Sequence, residues 1–382
     1  MEMKTVHIGD LGEIITGSTP SKKNPDNYGD FALWIKPTDM DENNKYTRET
    51  EEMFSERSAE ACRSRLIPKD SILVPCIGTV GTKLTMSPID CFTNQSVNAI
   101  VPNEDYDNHY VYYLIRNFLP ALKGYNKGTA SGREYIAKSA FENIEICVHE
   151  DLAIQHKIGK ILSTYDDLIE NCRKQIALLE EVARRLYHEW FVDFRFPGYE
   201  TATFNEDGLP YDWHTSNVNE MLTFHRGYDL TKKQFVDGIY PIVGSSSIIG
   251  YHNHYKINGP GIVTGRSGSL GTIQFIFDNF WPHNTSLYLS NTKGHSIYFL
   301  HQMLILLDLS TLNNGGAIPT LNRNTLSNIA VIKPSHIVEM QFHERVSPYY
   351  ILLNNLRRLV STLTEARDRL LPKLMSGEIN VE

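Results

Sequence analysis

The chain has 382 residues, 41% hydrophobic and 21% charged, with a formal net charge of -8. At about 150 residues per domain this length predicts two or three domains with cores of their own, and the ordinary composition excludes wholesale disorder. No apolar run approaches the roughly 18 residues of a membrane span, the start lacks a basic and apolar leader, and a cytoplasmic protein with no membrane partner is expected.

The acidity is concentrated early, since residues 1–150 carry 22 acidic and 16 basic side chains, and it argues against gripping nucleic acid by bulk charge alone. Cys62, Cys76, Cys91, Cys147 and Cys172 are odd in number and form no CxxC pair, which points to reduced structural thiols. Short apolar runs at Ser71–Pro75 and Ser96–Val101, bounded by turn formers, predict strands, and a helical pattern follows over 108–121. From Asp151 to Phe191, Ile154, Ile158, Ile161, Tyr165, Leu168, Cys172, Leu179, Val182, Leu186 and Trp190 recur in mostly alternating steps of four and three, with Gln175 as the polar interruption. That spacing predicts a heptad seam. Turn formers from Phe196 to Pro210 mark a boundary. Further strands are predicted at Gly261–Thr264 and Thr272–Phe277, a helix over 294–308, and a second seam from Phe342 through Val346, Tyr349, Leu353, Leu356, Val360, Leu363, Ala366 and Leu370 to Leu374. Ser163 before Asp166 and Asp167, and Ser347 before Pro348, read as N-caps. A short helix should therefore lead into a long one in each half, the first long one spanning Thr164–Trp190, about 40 Å at 1.5 Å per residue.

The order of elements is written twice. Ile67 and Ile257, Gly78 and Gly268, and Asn94 and Asn284 share one offset in numbering; Tyr112–Leu114 and Tyr298–Leu300 share a slightly smaller one; Asn171–Lys174 and Asn355–Arg358 share one smaller again. A slowly drifting offset in unchanged order marks an internal duplication. The expected fold is α+β, with two pseudo-twofold-related mixed α/β domains at residues 1–150 and 196–335. Two long antiparallel coiled-coil helices, in the helical regions 151–195 and 336–382, should separate them. Two independent helical hairpins are the alternative.

Motifs with a chemical reason to exist are missing. No glycine-rich phosphate loop ends in Lys-Ser or Lys-Thr, and the turns at Gly78–Gly81 and Gly268–Gly271 lead into more strand instead of the helix of a dinucleotide or methyl-donor pocket. Gly265–Ser269 fails the nucleophile elbow at its last position. Of 14 histidines only His252 and His254 lie close together, too few for a zinc site. No catalytic residues, metal or cofactor are expected, which sets aside a self-sufficient methyltransferase or nuclease. What remains is a set of polar and basic loop residues: Lys22, Lys23, Lys83, Asn94, Gln95 and Arg133 in the first half, and Lys232, Lys233, Ser246, Arg266, Asn284 and Asn322 in the second. Ser18, Thr19 and Ser245 accompany them. Arg and Lys donate to guanine, Asn and Gln pair with adenine, and Ser and Thr position on phosphate, so these twelve are the candidate DNA-binding residues. Turn chemistry alone would also place Asn and Ser in loops. Arg266, flanked by Gly265 and Gly268, and Arg133, after Gly132, favour function because glycine lets a backbone approach a phosphate.

These residues resemble a known family, the DNA-specificity subunit of type I restriction-modification enzymes. The resemblance rests on Leu11–Pro20 with Trp34–Lys36, Ile77–Gly81 with Thr93–Ser96, Gly238–Gly244 with Ile249–Tyr251, Gly265–Gly271 with Phe280–Pro282, Gln155–Ile158, Glu189–Phe194 and the ending Leu371–Ile379. It implies a non-catalytic subunit that reads a bipartite, asymmetric double-stranded DNA site with one domain per half-site, while its helices set the gap. It further implies two methyltransferase subunits docked on those helices, joined by endonuclease and translocase subunits. S-adenosylmethionine and ATP belong to the partners, and this chain would hold no cofactor. The competing reading is a coiled-coil scaffold whose two globular lobes bind protein ligands.

Overall fold

The computed structural model describes residues 2–126, 134–267, 270–312, 321 and 326–381. The chain divides into two compact units, one of Met1–Arg173 with Arg358–Glu382 and one of Lys174–Arg357. Each combines a mixed domain with a segment of both long helices.

In the first unit an antiparallel sheet runs in the order Gly12–Thr16, Val97–Pro102, Ile72–Pro75, Thr85–Met86. A smaller sheet ends in a parallel pair, Ala32–Ile35 beside Phe92–Thr93, and Met3–His7 pairs with Glu145–His149. The helix Asn108–Phe118 begins where the Asp107 carboxylate accepts the Tyr110 amide at 2.8 Å. Its Tyr110–Ile115 stretch is buried in one core with Ile14, Ile72 and Ile100 of the sheet, Ile154, Ile158 and Leu162 of one long helix, and Leu371 and Leu374 of the other.

The second unit has the same plan. Its main sheet runs Thr223–Arg226, Ser286–Asn291, Gly261–Gly265, Ile273–Ile276. Tyr240–Val243 pairs in parallel with Trp281–Pro282, and His214–Asn217 pairs with Ala330–Lys333. The helix Ile297–Leu306 is capped by Ser296 and packs with Tyr187, Phe191 and Phe342. One isolated bridge also recurs, Ile67 with Cys91 and Ile257 with Phe280. The duplication read from the offsets is therefore a duplication of topology, and the predicted strands and domain helices fall where the periodicity put them.

One buried contact shows how a long helix is fixed to its domain. Gln155 in the first unit and Glu339 in the second stand at equivalent positions of the repeat, and both are fully buried. Each Oε1 accepts the backbone N–H of the residue that caps the domain helix, Asp107 at 3.1 Å and Ser296 at 2.5 Å. An orphan donor at a helix start is thereby satisfied by a side chain from another element.

The long helices depart from expectation at their predicted breaks. Leu152–Phe191 and His336–Met375 are each continuous over 40 residues. Ser163 is not a cap: its hydroxyl is buried and accepts the Lys45 ammonium at 2.8 Å. Pro348 cannot donate to the Glu344 carbonyl, and the Ser347 hydroxyl donates to that oxygen instead, at 3.4 Å. The first seam is also displaced by one residue in places. Ile161, Leu168 and Val182 are exposed, while Leu162, Asp166, Ile169 and Ala183 are buried. Within each unit the two helical segments run antiparallel. Asp166 meets Arg367 in the first unit, where Ile154 and Ile158 also share the core with Leu371 and Leu374; Glu180 meets Arg357 and Tyr187 meets Phe342 in the second.

Candidate nucleic-acid interface

Register decides which loops share an end of each main sheet. In the first unit Thr16 lies opposite Asn98, and Pro75 opposite Val97. The loops 17–19, 76–78 and 94–96 therefore leave from one edge. In the second unit Arg226 lies opposite Leu287 and Gly265 opposite Ser286, which gathers 227–230, 266–267 and 283–285. At both places a glycine allows the chain to cross its neighbour. A Cβ on Gly17 would stand 2.1 Å from the Thr93 carbonyl oxygen, and one on Gly227 would stand 2.1 Å from that of His283.

The side chains on these equivalent frames differ. In the first unit Thr19 Oγ1 bonds Gln95 Oε1, Asn94 Oδ1 accepts the Ser96 amide at 3.0 Å in a local turn, and the Arg65 guanidinium donates to the Gly17 carbonyl at 2.8 Å. In the second, Asn284 Nδ2 donates to Asp229, whose Oδ1 also takes the Arg226 guanidinium at 2.8 Å. The Arg266 guanidinium reaches the Asn284 carbonyl at 3.4 Å, its backbone N–H donates to the Thr285 carbonyl at 2.9 Å, and the Ser245 hydroxyl bridges the Ser267 and Thr285 carbonyls.

Asn94, Gln95, Arg266 and Asn284 are thus brought to the two sheet ends, with exposed Ser246 on the neighbouring turn. Lys232 and Lys233 are exposed on a single 3-10 turn that Thr231 and Gln234 close. Lys22 is paired with Glu52 at 3.4 Å, and Lys23 beside it is exposed. Lys83 is drawn to the Pro37 carbonyl at 3.1 Å, bracing one loop against another. Arg133 and Asn322 lie outside the described residues.

Sequence reasoning missed Arg226, Asp229 and Arg65. The signal was the pair Gly17 and Gly227, but the stretch from Gly17 to Ile67 is much longer than the one from Gly227 to Ile257, so an ungapped comparison could not align them.

Among the described residues no three His, Cys, Asp or Glu side chains are grouped as metal ligands, and no helix is long and apolar enough to cross a membrane. Cys76 and Cys91 are buried free thiols, held up to about 11 and about 12 by desolvation, and so resist becoming thiolates.

The repeated frame with unlike polar loops defines a duplicated recognition protein. The family profile described as type I restriction modification DNA specificity domain matches residues 1–181 and 210–354. The chain belongs to this family, as a non-catalytic specificity subunit of a type I restriction-modification enzyme, whose catalysis lies in other subunits. It is 26% identical to the type I restriction enzyme MjaIX specificity subunit of Methanocaldococcus jannaschii, over 98% of this chain and 93% of that one. It is 33% identical to the HindI specificity subunit of Haemophilus influenzae, over 47% of this chain and 38% of that one. The S subunit of M. genitalium, solved as a crystal structure, shares the fold with a TM-score of 0.61 at 17% identity, covering 98% and 96% of the two chains.

Proposed function

We propose that the chain reads a split, asymmetric DNA sequence, residues 1–150 contacting one half and residues 196–335 the other. Helical regions 151–195 and 336–382 then carry two methyltransferase subunits, with endonuclease and translocase subunits joining them in the cytoplasm. The observation that carries this reading is the contrast at the sheet ends: one frame occurs twice, yet Thr19, Asn94 and Gln95 occupy one copy while Arg226, Asp229, Arg266 and Asn284 occupy the other. Equal frames with unequal donors and acceptors suit two unequal half-sites.

Docking of two copies of one partner is supported by an exposed apolar position that repeats while the loops do not. Leu168 and Leu352, equivalent positions of the two long helices, are 48% and 43% exposed.

Exchanging residues 196–335 for those of another specificity subunit tests the reading. Methylation mapping in a host carrying the complete system should show one half of the modified sequence replaced and the other unchanged. A change in both halves would refute one domain per half-site.

A further inference from the structure

We propose that Asp229 is a positioning residue for base recognition: it fixes which way the amide of Asn284 faces, and thereby which base the second mixed domain accepts at one position. This deepens the proposed function and rests on its reading of residues 196–335.

The argument begins with an asymmetry of chemistry. A carboxylate only accepts hydrogen bonds, so the Asn284 amide must turn its nitrogen toward Asp229 and its oxygen away. Among the described residues the first unit has no such lock. Its Gln95 is met by the Thr19 hydroxyl, which can donate or accept and so tolerates either amide orientation. The equivalent asparagine, Asn94, spends its oxygen on its own turn.

With one N–H held by Asp229, Asn284 keeps its other N–H and its Oδ1, which has no partner among the described residues. An acceptor beside a donor complements the N6 amino group and N7 of adenine. The amide rotated by a half turn would present those groups in reverse order. A freely rotating asparagine would therefore discriminate less, and the lock supplies the selectivity.

The charge balance supports this placement. Asp229 is 73% exposed, and an exposed carboxylate alone would repel phosphate. Arg226 neutralises it at 2.8 Å, leaving Arg266 as the net positive charge of the cluster. The carboxylate is thus neutralised locally and does not cancel the attraction of Arg266 for DNA.

The test uses the full chain co-expressed with the methyltransferase subunit of its own system and a randomised duplex library, reading base enrichment at each position. The wild type should enrich one base at the position Asn284 reads. Asp229→Ala should cut discrimination there about tenfold and leave the other positions intact; Asn284→Ala should affect the same position, and the double variant should lose no more. Enrichment that falls equally at every position in Asp229→Ala, or that does not change, overturns the inference. A wild-type protein that enriches no sequence at all refutes the recognition reading beneath it.

Discussion

His301 on the helix Ile297–Leu306 illustrates how one side chain couples the fold to pH. Its Nδ1 lies 2.6 Å from the Tyr350 hydroxyl, and that same oxygen accepts a hydrogen bond from Gln302 Nε2 at 2.8 Å. The hydroxyl therefore gives its proton to Nδ1, which requires a neutral imidazole. Desolvation, helped by the nearby Arg357 cation, holds His301 down to about 3, against an ordinary value of 6.5. The folded chain thus refuses a proton that the unfolded chain takes up. The stability from this group is complete above pH 6.5 and is lost as pH falls toward 3, at no more than about 1.4 kcal/mol per pH unit. Denaturant unfolding between pH 6.5 and 5, above the range where most carboxylates titrate, should show that decline, and His301→Gln should flatten it. An unchanged slope would place the proton elsewhere. Asn94 and Asn284 teach a related lesson. The sequence pairs them, but only a nonlocal partner such as Asp229 decides that one closes a turn and the other faces outward.

At the scale of elements, strands and domain helices were legible because their apolar runs and capping residues act locally. The long helices were legible in extent of pattern but not in continuity or in their buried face, and the cause is a polar network that no periodicity announces. Lys45, from a loop of the first domain, bonds Ser163 at 2.8 Å and His109 at 3.0 Å, and burial lowers its pKa. Asp166 nearby joins Tyr113 and Arg367, and both charged side chains are almost wholly buried. Polar residues at interior positions displace the hydrophobic seam from its heptad expectation, which is why Asp166 is buried and Leu168 is not. At the equivalent positions the second unit has neutral Tyr350 in place of Asp166 and Ala183 in place of Arg367, so the charged pair is not a requirement of the frame. Removing one partner leaves a buried charge unpaired. Arg367→Leu alone should cost about 3–5 kcal/mol, whereas Asp166→Leu with Arg367→Leu should recover at least half of that loss. Denaturant melts of the two variants decide it, and a double variant as unstable as the single would mean that packing, not charge, holds the site.

For the whole molecule, the repeat was legible because both copies must satisfy the same backbone and core, while the reading residues were only partly so because loops of different length carry them. That division has a testable consequence for the proposed bipartite site. The two compact units divide between Arg173 and Lys174 on one helix and between Arg357 and Arg358 on the other. Because the helices bond each other, as in the 2.7 Å contact of Arg357 with Glu180, lengthening only one would disrupt their register. Seven residues inserted at both division points keep each helix in phase to within about 20°. If the helices set the gap between half-sites, the insertion adds about 10 Å, or about three base pairs at 3.4 Å each. Methylation mapping should then show both half-sites unchanged with about three more unread positions between them. An unaltered gap with methylation intact would refute the ruler role, because the helices would then have lengthened without moving what they are proposed to hold apart.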